Sequence, residues 1–344
     1  MTDSSMADVA KLAGVSVSTV SRALRGSDLV SPETTARVRA AADELSFAIS
    51  RAASSLATGK LNRIAVLVSG SLGTWFNGTL LDSVYATLHQ SGQELLIYRT
   101  LDSAERDEFF ATLPARRNAD ALIVASLELT AAQRGRLRDL GMPLVYVNQR
   151  VRGAAAVSID DAAGAAGATR HLLSLGHRRI AFVGWAHAAG THPSSSDRLS
   201  GYRQVMTEAG IAAPGQRVIT ASGRDEGAIV VSELIGRPPM PTGLVVESDE
   251  LAMSLLAELL LRGVRVPQSL SVIGFDGHAM AAKFGLSTVA QPVDQLGRQA
   301  AELALSLAGR APGRRKSIMV PTRLVLRAST APPADDPVDH EGRH

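Results

Sequence analysis

Residues 5–25 read Ser5-Met6-Ala7-Asp8-Val9-Ala10-Lys11-Leu12-Ala13-Gly14-Val15-Ser16-Val17-Ser18-Thr19-Val20-Ser21-Arg22-Ala23-Leu24-Arg25. Two short helical patterns with a glycine break between them account for the whole stretch. Ser5 with Asp8 three residues on is a capping box, in which the hydroxyl accepts from one free N–H and the carboxylate from another. Val9, Leu12 and Ala13 then fall on one face, and Gly14 stops the helix, because a residue without Cβ enters the left-handed conformation cheaply. Ser16 caps a second helix that turns Val20 and Leu24 inward and leaves Val17, Ser18, Ser21, Arg22 and Arg25 toward water. Downstream, Ser31-Pro32-Glu33 supplies a cap, a first-turn proline and an acid ahead of a third helix whose inner face carries Val38, Ala42 and Leu45. Three helices with a tight Gly14-Val15-Ser16 turn predict a helix-turn-helix. A bare packing module has no need of the hydroxyl and arginine side chains on its outer face.

Working outward, a chain of 344 residues should hold two or three domains. No strand-like run occurs before Arg63–Val68, which puts a boundary near Gly59-Lys60. Beyond it, β-branched runs at Glu94–Tyr98, Ala121–Ala125, Leu144–Val147, Arg179–Val183, Leu244–Val246 and Ser271–Phe275 alternate with helical patterns. That alternation predicts parallel sheets flanked by helices, and its length exceeds one doubly wound domain, so two lobes follow. Residues 331–344, rich in Pro and Asp, are expected to be a disordered tail. The absence of cysteine removes disulfides, thiolate nucleophiles and sulfur-bound zinc, and points to a reducing cytoplasm. No apolar run reaches the roughly 20 residues that span a bilayer, and Met1-Thr2-Asp3-Ser4-Ser5 is not an export signal, so neither membrane nor secretion is expected. A net charge of only +3 means that a polyanion partner must be argued from local pattern.

The motif Asp8-Val9-Ala10-Lys11-Leu12-Ala13-Gly14-Val15-Ser16 with Thr19-Val20-Ser21-Arg22 closely resembles the headpiece of the LacI/GalR repressor family. The resemblance continues in order through Val30-Ser31, Arg37-Val38, Glu44-Leu45, Leu56-Ala57, Leu175-Gly176-His177-Arg178-Arg179-Ile180, Val266-Pro267 and Gly274-Phe275-Asp276, and so covers residues 6 to about 330. It implies an α/β protein: a three-helix headpiece over residues 1–48, a hinge helix over 49–60, and a two-lobed periplasmic-binding-protein-like effector and dimerisation domain over 61–330. The lobes would be about 61–160 with 291–318, and 161–290 with 319–330. By the same resemblance Val17, Ser18 and Arg22 enter the major groove, Arg22 facing a guanine edge, while Ser16, Thr19 and Ser21 contact phosphate. Arg25 stands where the family often has Asn, adding phosphate affinity or altering base preference. Leu56 would wedge into a central minor-groove step from a hinge that, at about two turns, is too short to be helical alone. Ile49-Ser50 replaces a usual Pro-Asn there.

In the large domain the resemblance points to a cleft between the lobes. Trp75 and Phe76 follow the first strand and serve as ring platforms or as core packing. Two glycines in that loop, Gly70 and Gly73, lack dinucleotide spacing. Asn148, Arg198, Ser248 and Asp276 are the polar candidates. Taken singly, Arg198 reads equally as a solvated helix residue and Asp276 as a strand-end cap; together, at matched positions, they favour a site for vicinal hydroxyls. Gly70, Gly277-His278 and Gly285 depart from the family pattern, so the effector is a sugar by preference and a non-sugar metabolite by alternative.

No catalytic residues, metal site or cofactor are assigned, because Asp160-Asp161, an adjacent acidic pair at a strand-to-helix junction, is explained as helix capping. An uptake binding protein would have no use for residues 6–57. The expectation is a cytoplasmic homodimer on a pseudopalindromic double-stranded operator, acting as a ligand-responsive repressor, with a constitutive DNA binder and vestigial cleft as the other class.

Overall fold

The computed structural model describes residues 5–24, 27–45, 47, 60–149, 151–185, 193–211, 217–221, 225–309 and 316–334, and the chain divides into two compact units at Asn62/Arg63. The first unit holds α1 (Met6–Ala13), α2 (Val17–Leu24) and α3 (Pro32–Glu44). Its capping box forms, Gly14 ends α1 at φ 66, and Ser31 caps α3 at the N–H of Thr34. The core is small: Val9, Ala10, Ala13, Val20, Ala23, Val38, Ala41 and Ala42, with Leu24, Val30 and Leu45 at its edge. Leu12, expected on the inner face, is instead 46% exposed. Burial follows Val9, Ala10 and Ala13, and Leu12 lies roughly 100° round the helix from the middle of that stripe.

In chain order the second unit runs β1 (Arg63–Ser69), α4 (Trp75–Gln90), β2 (Glu94–Thr100), α5 (Ser103–Thr112), β3 (Ala121–Ala125), α6 (Ala131–Arg138), β4 (Leu144–Val147) and β5 (Ala155–Ser158). It continues through α7 (Asp161–Ser174), β6 (Ile180–Trp185), α8 (Pro193–Glu208), β7 (Arg217–Ala221), α9 (Glu226–Gly236), β8 (Gly243–Val246), α10 (Asp249–Leu261), β9 (Ser271–Asp276) and β10 (Ser287–Ala290). It closes with α11 (Val293–Ala308), β11 (Ser317–Met319) and β12 (Arg323–Val325).

Two six-stranded sheets result, in the orders β11-β5-β4-β3-β1-β2 and β12-β10-β9-β8-β6-β7, parallel except for β12 against β10. The N-lobe carries the first sheet and the C-lobe the second. Strands such as β3 and β8 are buried along their whole length, as expected when helices cover both faces of a parallel sheet. One apolar cluster runs through α4, α11 and both sheets, while Phe109, Phe110 and Leu137 pack the other face of the N-lobe and Val230, Leu234 and Leu255 that of the C-lobe. The described chain crosses between lobes three times, at Ile159-Asp160, Gln291-Pro292 and Pro321-Thr322. Strand order reverses between β1 and β3 and between β6 and β8, and in open α/β sheets the crevice for ligands lies beyond the carboxyl ends of strands at such reversals.

Two glycines set how closely α7 approaches its neighbours. A Cβ on Gly201 of α8 would lie 2.0 Å from the Ala162 carbonyl oxygen of α7, and one on Gly164 would lie 2.8 Å from the Phe275 ring. Gly167, read with Gly164 as a close-packing site, has nothing within 4 Å of such an atom. His177 is structural: its ring is buried between the Thr242 hydroxyl and the Ala331 carbonyl, both at 2.9 Å. The expected tail start at Ala331 is corrected by the same contacts. Ala331 also pairs its N–H and C=O with the Ser271 hydroxyl, so residues 331–334 belong to the ordered C-lobe, while 335–344 lie outside the described residues.

Candidate DNA-reading face and ligand cleft

On α2, Val20 and Ala23 are fully buried while Val17, Ser18 and Arg22 are exposed and Ser21 is half-buried. The Ser16 hydroxyl accepts from the Thr19 N–H at 3.1 Å and shares hydrogen bonds with the Ser18 and Thr19 hydroxyls, both at 2.8 Å. Helix capping therefore preorganises a row of three hydroxyls at the helix start, where backbone N–H groups and the helix dipole favour an anion. The guanidinium of Arg22 is exposed and makes no hydrogen bond or ion pair among the described residues. Arg25 and Leu56, with the hinge 49–59, lie outside the described residues.

The cleft is built around Arg198 on α8, only 6% exposed. Its Nε donates to Asp161 Oδ1 at 2.8 Å, and one Nη donates to the Glu247 carbonyl at 2.6 Å and to Asp276 Oδ1 at 3.4 Å. The guanidinium lies 3.6 Å from the centroid of the Phe275 ring, a cation–π contact. That ring reaches it only because position 164 has no side chain. Arg198 is thus no solvated helix residue.

Asp276 ends β9 at φ 121, a backbone region that favours glycine and costs a residue with a side chain on the order of 1–3 kcal/mol. Its Oδ1 also accepts from Gln291 Nε2 at 2.7 Å. Asn148 and Ser126, at the ends of β4 and β3, have positive φ as well. Such strain at the crevice side of three strands is the pattern of a site, since local conformation would otherwise relax. Four buried polar atoms around the same strand ends, Ser126 Oγ, Asn148 Oδ1, Ser158 Oγ and Gln291 Oε1, have no hydrogen-bond partner among the described residues.

Polar links join the lobes. Asn148 Nδ2 donates to Ser194 Oγ at 2.8 Å, and the Trp75 N–H to Glu250 Oε1 at 3.3 Å. The Trp75 ring sits 5.4 Å from that of His278. Phe76 packs with Trp75 against the large apolar cluster. The Ser248 hydroxyl is engaged locally, accepting from the Leu251 N–H to cap α10 and from Trp185 Nε1, both at 3.3 Å.

Electrostatics in the cleft follow from burial. Burial works against the charge on Arg198, but Asp161, Asp276 and Glu247 outweigh it, so its pKa rises and it stays a cation. Burial raises Asp161 despite the arginine. Asp249, whose Oδ2 accepts the N–H groups of Gly277 and His278 at 2.9 and 2.7 Å, is pushed up to about 6, burial winning over its hydrogen bonds. Asp276 is pushed up to about 7 by burial, with Arg198 opposing and Asp249 adding to the rise. Arg198 therefore sits among Asp161, Glu247 and Asp276, with Asp249 beside Asp276 and Arg327 acting on Asp249, and two of these carboxylates are close to titrating.

The structure brings Arg198, Asp276, Asn148 and Trp75 to one crevice with Ser248 at its wall. Sequence reading missed Asp161, Glu247, Asp249 and Gln291. Asp160 does cap α7, accepting from the Ala163 N–H at 3.0 Å, but Asp161 beside it holds Arg198 instead, which corrects the reading of that pair as capping alone. Glu247 stood directly before Ser248 and carried its own signal: an acid at the end of a buried apolar strand. Its carboxylate takes the Trp185 N–H at 2.9 Å and the Ser195 hydroxyl. Among the described residues, no group of three or more histidines and acids is arranged to hold a metal ion, and no helix is long and apolar enough to cross a membrane.

A chain that carries both a hydroxyl- and arginine-bearing helix-turn-helix and a two-sheet unit with a charged crevice is of the class of DNA-binding regulators with a ligand-binding domain. Residues 5–50 match the family model for bacterial regulatory proteins of the lacI family, and residues 169–330 that for the periplasmic binding protein-like domain. The transcriptional regulator DegA of Bacillus subtilis is 31% identical over 337 residues, 94% of this chain and 97% of that one. The transcriptional repressor PurR of Vibrio atlanticus is 31% identical over 304 residues, 87% and 90% of the two chains. Among solved structures, a transcriptional regulator CelR–cellobiose complex superposes with a TM-score of 0.69 at 27% identity, covering 95% of this chain and 99% of that one. The chain belongs to the lacI family, and it is a DNA-binding transcriptional regulator with an effector-binding domain.

Proposed function

We propose that the protein is a cytoplasmic, homodimeric repressor that binds a pseudopalindromic operator and is controlled by a neutral, hydroxyl-rich ligand, a sugar, held between its lobes. The observation that carries this reading is the pairing, in one chain, of a helix face the fold does not use with a crevice whose buried polar atoms the fold does not satisfy. In this reading Ser16, Thr19 and Ser21 contact phosphate, Val17, Ser18 and Arg22 read bases, and Arg25 and Leu56 extend the interface. Arg198, Asp276 and Asn148 hydrogen-bond ligand hydroxyls, Trp75 covers an apolar ring face, and Phe76 and Ser248 shape the walls. The carboxylate excess disfavours an anionic ligand, and the related CelR structure holds cellobiose. Twofold protein symmetry would impose twofold symmetry on the operator.

The test uses duplex DNA from the protein's own promoter region. Arg22→Ala should weaken specific binding by about 1–3 kcal/mol per half-site and leave nonspecific binding largely intact. Equal specific affinity in mutant and wild type refutes the groove assignment. A thermal-shift screen of neutral sugars against sugar acids checks the ligand class, since a ligand at 100 times its Kd stabilises by about 2.7 kcal/mol.

A further inference from the structure

A second cavity, of about 980 Å³, opens at the amino ends of β4 and β5, the far end of the N-lobe from the crevice. Its walls are α6, the turn into β4, the segment that returns from β4 to β5, and the end of α11. Three arginines line it: Arg134 and Arg138, one turn apart on α6, and Arg152 on the return segment. None of the three has a carboxylate partner among the described residues, and the one hydrogen bond of their guanidinium groups runs from Arg134 to the Leu129 carbonyl. Gathering like charges in one concavity is unfavourable for folding alone and raises the local concentration of anions.

The floor adds a second, independent sign. Tyr146 is 2% exposed and lines the cavity, yet its hydroxyl has no hydrogen-bond partner among the described residues. Burial raises its pKa, with Arg134 and Arg138 opposing, so the phenol keeps its proton and can donate. The hydroxyl is therefore a free donor presented to the cavity. Apolar atoms of Met142, Pro143 and Leu307 complete the wall.

We propose that this cavity is a second ligand site, separate from the crevice, for a small organic phosphate. The arginines would take the dianion in charge-assisted pairs, the Tyr146 hydroxyl would donate to a phosphate oxygen, and the apolar wall would receive the organic body. The volume lies at the upper end for small-molecule sites. The segment that carries Arg152 begins at Asn148, whose amide bonds Ser194 of the other lobe, so an occupant has a short covalent route to the crevice.

Phenyl phosphate, with phenol as the neutral control, titrated into the full chain by calorimetry tests the site. Saturable binding of phenyl phosphate and not phenol is expected, weakened about ten- to hundredfold in Arg134→Gln/Arg138→Gln and several-fold in Tyr146→Phe, with the melting temperature of the unliganded protein preserved. Failure of phenyl phosphate to bind, or equal binding by wild type and both variants, overturns the proposal. Loss of duplex DNA affinity in the arginine variant of a protein that does not bind phenyl phosphate would assign these arginines to the DNA backbone and overturn it as well.

Discussion

The headpiece and the crevice solve opposite problems with their polar residues. In the headpiece, eight valines and alanines hold the fold, and Val17, Ser18 and Arg22 stand outside it. In the crevice, Arg198, Asp276 and Asn148 are buried: Arg198 and Asp276 hold each other at the strand ends, and Asn148 holds Ser194 of the other lobe. The contrast teaches that recognition can be changed without touching stability in one unit and cannot in the other. Under the proposed function, base preference on α2 is free to drift by single substitutions, whereas ligand preference must change around a fixed ionic frame.

The strongest way to break this contrast is Arg198→Ala. Removing the one cation from among Asp161, Glu247 and Asp276 leaves buried carboxylates uncompensated and should cost about 3–5 kcal/mol in urea unfolding of the large unit. A loss below about 1 kcal/mol would show that the frame is dispensable and that Arg198 serves ligand alone.

Next in size is the pH dependence. Asp276, raised to about 7, and Asp249, raised to about 6, bind protons in the folded state that the unfolded chain has released. Their contribution is full below the ordinary carboxylate pKa of about 3.9 and is lost as pH rises through those values. Unfolding free energy of the unliganded protein should therefore fall across the window from about pH 4 to 7, and Asp276→Asn should flatten the upper part of that fall. A profile that is identical in the variant would remove Asp276 from the titrating group.

The headpiece pair is the smallest and sharpens the comparison most. Val20→Ala deletes two buried methyl groups and should destabilise that unit by about 2 kcal/mol, while Arg22→Ala should stay within about 0.5 kcal/mol. Amide exchange in α1 and α3 separates the two. Similar protection losses in both would mean that the recognition face supports the fold.

The same contrast explains what could be read from the sequence. The helix-turn-helix was legible because each turn is written locally: Ser5 with Asp8, Gly14, Ser16, Ser31-Pro32. The strands found by inspection, such as Ala121–Ala125 and Leu244–Val246, are β-branched runs buried on both faces. β5, β7, β10, β11 and β12 were not identified, because Ala-Ala-Val-Ser or Ser-Thr-Val-Ala carries little strand signal outside its partners. Motif matching named Arg198 and Asp276, but the residues that fix them are long-range. Asp161 lies 37 residues from Arg198 and Gln291 lies 15 from Asp276, so no local pattern announces them. Leu12 was misplaced because helical periodicity gives a face but not the direction from which two neighbours arrive.

The three crossings between the lobes leave little freedom of movement. Two of them are tied together, Val320 donating to the Ser158 carbonyl at 2.8 Å, and the third is tied to the crevice by both Gln291 bonds to Asp276, from its backbone N–H at 3.0 Å and its side chain at 2.7 Å. A body joined to another along three adjacent straps can turn about the line of the straps and do little else. Asp276 sits on that axle. In the proposed site, whatever grips its carboxylate grips the pivot itself, so a small molecule needs no lever arm here: it acts as a brake.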